Sequence, residues 1–348
     1  MTLMIPPIDQ KARALARKRW DTLTKPLGSL GALEDLGIRI AGITGQPIPS
    51  VRRKVIFTVA ADHGVALEGV SAYPQEVTAQ MVANFLRGGA AINVLARQVG
   101  AEVLVVDAGV AGPFASTDGL IVSKIRSGTG NISREPAMTR LEAEQTIESG
   151  IRIFEEQHRK KPIEMVGLGD MGIGNTTASS ALTAVLTGHP VEEVTGRGTG
   201  LTDQKLLNKI QVITLALEQH RPDPEDPIDC LAKVGGLEIG CLAGIALAAA
   251  QHRVPVVLDG FITSAAAGVA CGLHPSLKDY LIASHRSVEP GHGILLRAMG
   301  LEPLFNLQMR LGEGTGAALG FFLIEASLKL LSEMATFAEA GVSEESGP

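Results

Sequence analysis

Val55-Ile-Phe-Thr-Val-Ala60, running on into Ala61-Asp-His-Gly-Val65, is the stretch whose reading decides the fold. Six residues rich in β-branched side chains, with almost no polar alternation, predict a strand buried on both faces, as in a parallel sheet. The glycine that follows predicts a turn into the next element. The pattern recurs at Val103–Val106, Ile163–Val166 and Val254–Leu258, and more weakly at Tyr280–Ala283. Each run is followed by a glycine-rich turn and a helical stretch. Strands alternating with helices predict an α/β fold: a doubly wound, mostly parallel sheet with helices on both faces and ligands beyond the carboxyl ends of the strands.

Outward from this core the pattern is helical. Ala12, Leu15 and Ala16, then Leu30, Leu33, Leu36 and Ile40, repeat at helical spacing on either side of Lys25-Pro-Leu-Gly-Ser29, which predicts two helices around a turn. A further helix is expected over Leu319–Ala338, ahead of a frayed acidic tail, Ala340-Gly-Val-Ser-Glu-Glu-Ser-Gly-Pro348. The expected division is a small helical domain from residues 1–48 and 318–348 and a large Rossmann-like α/β domain over 49–317.

Composition narrows the function. The 348 residues are 45% hydrophobic and 20% charged, which suits a folded core. The net charge is −6 and the basic residues are thinly spread, so a nucleic-acid footprint is not expected. Cys230, Cys241 and Cys271 form no CxxC pair and sit in Ala/Gly-rich stretches, as expected of core thiols in a reducing compartment. The first twenty residues lack the apolar run of a signal peptide. The apolar runs at 240–250 and 254–273 are too short, or broken by Asp259, to span a bilayer. A cytoplasmic protein is expected. With 40 glycines and 3% aromatic residues, many turns bring backbone close to a partner, a look shared by α/β enzymes that handle phosphates.

The segments that could carry chemistry follow the strands. The Asp62-His63 pair after the first strand reads as a hydrogen-bonded structural pair more readily than as a metal site. Gly167-Leu-Gly-Asp-Met-Gly172 satisfies GxGxxG and leads through Gly174, Asn175 and Thr176 into a helix, the arrangement that aims helix N-terminal amides at a phosphate. A dinucleotide enzyme would add an acid some twenty positions on, at the end of the next strand. Glu192 and Glu193 fall near that distance but within a turn. Three loops share an X-Gly-Thr-Gly core: Ser127–Gly130, Arg197–Gly200 and Glu313–Gly316. They read either as backbone-amide nests around one phosphorylated ligand or as simple helix caps. Lys209, after the second loop, reads as a phosphate partner or as an exposed helix lysine. Glu313 lies between Gly312 and Gly314 ahead of an apolar helix, where burial would raise its pKa toward a range useful for proton removal.

Taken together, the chain resembles the nicotinate-nucleotide:dimethylbenzimidazole phosphoribosyltransferases. The likeness runs through Lys25–Gly31, Ala61–Val65, Gly130–Ile132, Gly174–Thr177, Lys233–Gly236, Leu258–Phe261 and Arg310–Gly314. The resemblance implies a pentosyltransferase that moves the phosphoribosyl group of nicotinate mononucleotide to 5,6-dimethylbenzimidazole or a related base, for the nucleotide loop of cobalamin. It implies Glu313 as general base, Lys209 and Ser287 as phosphate contacts, and Gly174, Asn175, Thr176 and Gly198 around the nucleotide. Asp170 stands where the family pattern has a longer glutamate near the ribose and nicotinate. Tyr73, Met81 and Leu311 would line the azole pocket, the first two bulkier or less polar than the pattern's serine and glutamine. The donor's pyridinium is already a good leaving group, so neither a cofactor nor a metal is implied. Small-molecule substrates and a homodimer are implied, with no nucleic-acid or membrane partner.

Three readings compete. A nicotinamide-dependent oxidoreductase would use Gly167–Gly172. A pyrophosphate-donor phosphoribosyltransferase would use Val256–Ser264, although Gly260 stands where a second acid is expected after Asp259. A non-catalytic nucleotide carrier would need the glycine loops but not Glu313.

Overall fold

The first strand, β1 (Lys54–Ala61), is buried along its whole length and lies inside a six-stranded sheet of order β3-β2-β1-β4-β5-β6. The other strands are β2 (Glu102–Gly109), β3 (Leu120–Val122), β4 (Met165–Met171), β5 (Val256–Leu258) and β6 (Leu281–Ala283). Every pairing is parallel, so the expected α/β fold with a doubly wound sheet is what this computed structural model contains. It describes residues 3–112, 114, 118–198 and 200–343; most of the expected acidic tail lies outside them.

The helices in chain order are α1 (Gln10–Thr22), α2 (Ala32–Thr44), α3 (Val77–Leu86), α4 (Ala91–Gln98), α5 (Arg140–Lys160), α6 (Asn175–Thr187), α7 (Val191–Val194), α8 (Asp203–His220), α9 (Pro227–Val234), α10 (Leu237–Gln251), α11 (Phe261–Leu273), α12 (Pro290–Ala298), α13 (Thr315–Glu333) and α14 (Phe337–Ala340). The strand order reverses between β1 and β4, which places the crevice of a doubly wound sheet at their carboxyl ends.

The fourth strand departs from its expected bounds with consequence. It begins two residues later than Ile163 and continues through Gly167, Leu168, Gly169 and Asp170, so the spacing that read as a turn is strand. The glycines are there for close packing. A Cβ on Gly167 would come within 3.0 Å of both Ile56 and Phe321, and one on Gly169 would meet the carbonyl oxygen of Glu313 at 2.3 Å. The short, half-buried β3 gave no pattern that could have been read, and β5 and β6 are three residues each. The last helix is likewise shorter than Leu319–Ala338 on its carboxyl side: α13 ends at Glu333, and Thr336 caps a separate turn.

At the chain ends, α1 and α2 flank the Lys25–Gly31 turn, under which Lys25 and Glu34 pair at 2.8 Å. Ala16, Trp20, Leu23, Ile38, Ala41 and Leu331 form their own apolar cluster. The amino-terminal half of α13 packs instead on the sheet, with Ala317, Phe321 and Ile324 against the cluster that holds Ile56, Met165 and Val257. By length and composition α13 could cross a membrane, but 56% of that window is buried in the fold. Cys230, Cys241 and Cys271 lie in α9, α10 and α11, all unpaired.

On one face of the sheet α10 crosses α5 at a distance only glycine permits. A Cβ on Gly150 would sit 1.9 Å from the Cys241 carbonyl oxygen, and one on Gly244 would sit 2.0 Å from that of Ile147. Gly150→Ala is therefore expected to destabilise the fold by about 1–3 kcal/mol or more, because rigid backbone must move. Gly293→Ala in α12, whose added methyl would meet only Arg297 at 3.5 Å, should instead be neutral or stabilising by up to about 1 kcal/mol. Chemical denaturation of both variants checks the contrast; equal midpoints would refute the crossing argument.

Candidate active site

Gly312, Glu313 and Gly314 have φ values of 86°, 66° and 100°, three successive residues in the left-handed region. Glycine tolerates this readily and glutamate does not, so the turn must be held from outside. Three strands hold it. Thr58 Oγ1 on β1 donates to the Glu313 carbonyl oxygen at 2.9 Å, and the Glu313 N–H donates to the Asp170 carbonyl oxygen on β4 at 3.2 Å. Just past β5, the Asp259 carboxylate accepts from the N–H groups of Gly314 at 2.9 Å and Gly316 at 2.6 Å. The Glu313 side chain is thereby turned to where its Oε2 accepts from the Ile92 N–H, in the first turn of α4, at 3.3 Å. Burial raises its pKa above the ordinary glutamate range, against the pull of the Ile92 hydrogen bond.

Glu313 opens on a cavity of about 390 Å³ over the carboxyl ends of β4, β5 and β6. Tyr73, Met81 and Leu311 line it, as do Asp170, Asn175, Thr176, Gly198 and Ser287. Nine of the eleven residues singled out from sequence, counting Glu313, thus meet around one space. The other two stand behind it. Gly174 (φ 97°) caps α6 and packs on His63. Lys209 is fully buried, not an exposed helix lysine, and donates to Thr176 Oγ1 at 2.8 Å and to the Gly196 carbonyl oxygen at 3.3 Å. Burial lowers the Lys209 pKa to about 8, with the nearby Glu289 carboxylate opposing.

Asp170 is buried, and its pKa lies well above the ordinary range, first because of burial and then because of Asp259 and Glu238. Its Oδ2 accepts from Asn175 Nδ2 at 2.9 Å, while Oδ1 has no partner among the described residues. Burial thus favours its protonated form, the form that has a hydrogen to donate to a ligand.

The amide-nest reading of the three X-Gly-Thr-Gly loops is corrected. Among the described residues, the glycine N–H groups of these loops are taken up within the protein. Those of Gly314 and Gly316 are taken by Asp259, and that of Gly198 by Glu289 Oε1 at 2.9 Å. Those of Gly128, Thr129 and Gly130 go to the backbone oxygens of Gly109, Asp62 and Ala137. The loops shape the site, and side chains supply its polarity.

Sequence reading missed the roles of Asp259, His285 and Glu289. The signal for Asp259 was an acid at a strand end followed by glycine, which also suggested the pyrophosphate-donor reading; here both of its oxygens are occupied by amides. His285 lines the cavity, and burial pushes its pKa down to about 4. His292, pushed to about 3 by burial, accepts from the Ser287 N–H at 3.0 Å and meets Ser264 Oγ at 3.0 Å, which fixes Ser287 at the cavity wall. The Asp62-His63 pair is structural: Asp62 accepts from the Ala111 N–H, and His63 pairs with Glu238 at 2.8 Å. Burial would lower the His63 pKa, but Glu238 carries it above the ordinary value. Among the described residues no group of three or more His, Cys, Asp or Glu side chains could hold a metal ion. The oxidoreductase reading fails on geometry: Gly167 and Gly169 lie within β4, and Glu192 and Glu193 lie in the short α7 instead of at a strand end.

Known proteins resemble this chain along nearly its whole length. The phosphoribosyltransferase family DBI_PRT matches residues 5–342. A nicotinate-nucleotide–dimethylbenzimidazole phosphoribosyltransferase from Desulforudis audaxviator is 57% identical over 340 residues, 98% of this chain and 96% of its own. One of the same name from Chloroflexus aggregans is also 57% identical, over 98% of this chain and 96% of its own. Among solved structures, the crystal structure of the enzyme of that name from Thermus thermophilus superposes with a TM-score of 0.91 at 46% identity, covering 97% of this chain and all of that one. The chain belongs to the nicotinate-nucleotide–dimethylbenzimidazole phosphoribosyltransferase family.

Proposed function

We propose that this protein transfers the phosphoribosyl group of nicotinate mononucleotide to 5,6-dimethylbenzimidazole or a related azole, releasing nicotinate and forming α-ribazole 5′-phosphate. The observation that carries the reading is Glu313: a buried carboxylate with a raised pKa, held in a left-handed turn at the edge of a cavity whose lining includes the apolar Leu311 and Met81. One azole nitrogen attacks C1′ of the ribose as the bond to the pyridinium nitrogen breaks, and the bonding pair returns to the departing ring, which becomes neutral. The proton on the other azole nitrogen passes to Glu313 Oε1, since Oε2 is already engaged by the Ile92 N–H.

In this reading Tyr73, Met81 and Leu311 hold the flat acceptor. The donor phosphate meets the side chains of Thr176 and Ser287, with the Lys209 charge held directly behind Thr176 and Gly198 shaping the wall, while Gly174 and Asn175 set the start of α6. Asp170, as the neutral acid, donates from its unpartnered oxygen to the ribose or nicotinate of the donor. The reading extends to a cytoplasmic enzyme, which the three free cysteines support, that works as a homodimer and engages neither nucleic acid, given the net charge of −6, nor membrane. It also keeps residues 1–48 and 318–348 as a small helical domain beside the α/β domain of 49–317; the separate cluster around Trp20 supports this for α1 and the end of α13, while Phe321 and Ile324 of α13 and Leu36 and Ile40 of α2 pack with the sheet.

The deciding experiment mixes nicotinate mononucleotide with 5,6-dimethylbenzimidazole without metal and resolves the products by chromatography. Wild type should form the ribotide, and Glu313→Gln should lose on the order of 10²-fold or more in kcat, the range for a removed general base. A wild type inert toward every azole would overturn the reaction; a fully active Glu313→Gln would leave only a structural glutamate.

The pH profile carries a second expectation. Glu313 acts deprotonated, so activity rises with pH through a value above the ordinary glutamate range. Lys209 binds the phosphate protonated, so kcat/KM should fall as pH rises through about 8. Steady-state kinetics across pH checks this, and a profile flat from pH 7 to beyond this value would remove Lys209 from donor binding.

A further inference from the structure

We propose that Asp259 is a positioning residue for Glu313: by accepting the N–H groups of Gly314 and Gly316 it fixes the left-handed turn that aims the Glu313 carboxylate into the cavity. This rests on the function proposed above. The turn is costly on its own account, since a glutamate at φ 66° is held only when its surroundings over-determine it. Of the ties from β1, β4 and β5, those from Thr58 and Asp170 involve a neutral hydroxyl and a backbone carbonyl. Asp259 alone contributes a charge and two acceptors, at 2.9 Å and 2.6 Å, and charge-assisted bonds of this kind are about twice as strong as neutral ones.

The amides it takes belong to the first turn of α13, a 19-residue helix whose amino end favours a negative charge. The carboxylate is fully buried and faces Glu313, Asp170 and the neutral His285, whose Nδ1 is 3.8 Å from Oδ1. Gly316 admits the arrangement, because a Cβ there would lie 2.1 Å from that nitrogen and 2.6 Å from Oδ1. A fully buried charge seated between two amides has one structural consequence, the orientation of residues 313–316, and no contact with Thr176 on α6 or Lys209 on α8, where the proposed function places the donor's phosphate. Burial also brings the pKa of Asp259 up to about 7 despite the amide bonds, so acidification should neutralise the carboxylate and loosen the turn.

The test uses the full chain with Asp259→Asn and Asp259→Ala, measuring kcat, the dissociation constant of nicotinate mononucleotide by equilibrium titration, and hydrogen exchange of residues 309–319. Positioning predicts a fall in kcat on the order of a hundredfold, larger for alanine than for asparagine. It also predicts unchanged donor affinity and faster exchange confined to 309–319. In wild type, the protection factors of this segment should decline relative to the rest of the chain as pH is lowered through about 7, a measurement that needs no variant to fold. Unchanged kcat, or unchanged exchange at 309–319 in both experiments, overturns the inference. A parallel loss of kcat, donor affinity and melting temperature would make Asp259 merely structural and overturns it equally. A wild type that forms no ribotide overturns the proposed reaction and the catalytic side of this inference with it, while the exchange data still decide whether Asp259 holds the turn.

Discussion

The carboxyl edge of the sheet is organised by one contact, the passage of the Glu313 turn directly across β4 at Gly169. Backbone meets backbone there, with room for no side chain on the strand. Because the turn lies so close, strand groups on either side of it reach it without an intervening layer: Thr58 from β1, the Asp170 carbonyl from β4 and Asp259 beyond β5. The same closeness seats α13 on the sheet, with Ala317 and Phe321 against Gly167. A helix that reads as freely apolar in sequence is thus anchored at its first residues by the turn that carries Glu313.

The cost of this packing is electrostatic. Asp170, Asp259 and Glu313 are drawn together with little water, and three adjacent ionised carboxylates cannot persist in such a place. Each is handled differently. Asp259 receives two amides and the end of a helix; Glu313 receives one amide and keeps an oxygen toward the cavity; Asp170 receives only Asn175, and burial raises its pKa well above the ordinary range. Environments that push the pKa values of neighbouring acids apart are what allow one to act as base while another stays protonated.

Much of this was legible in the sequence, because the physics that marks a buried parallel strand is local: apolar runs without polar alternation marked five of the six strands, the last more weakly, and the glycine-flanked acid pointed to Glu313. What escaped is non-local. Nothing near Gly167 tells whether its missing side chain makes a turn or makes room for Phe321, 154 positions away by numbering (321 − 167). The amides of the X-Gly-Thr-Gly loops could face ligand or protein equally well on sequence grounds, and only the fold brings Asp259 and Glu289 beneath two of them. Lys209 sat in an unremarkable helical stretch; its burial depends on where α8 is laid against α6. Only the family resemblance implied a phosphate role for it; periodicity alone could not.

The two ends of the cavity are built to different standards, and this bears on what the site can discriminate. On the side of Thr176 and Ser287, a fully buried lysine and a histidine-held serine fix the polar groups before any ligand arrives. Preorganisation of that kind binds one shape of charged group tightly, because little ordering remains to be done on binding. On the side of Glu313, Tyr73 and Leu311 are more than half exposed, at 56% and 59%, and offer apolar surface with few fixed hydrogen bonds. Apolar contact separates ring systems differing by a methyl group only weakly, by about 1–3 kcal/mol per methylene-sized difference. Under the proposed function, the donor is therefore specified by rigid chemistry and the acceptor by shape and by a nitrogen-bound proton within reach of Glu313. The same reading makes positions 73 and 81, both in the cavity wall, the places where the choice of base would be retuned without touching the machinery that holds the donor.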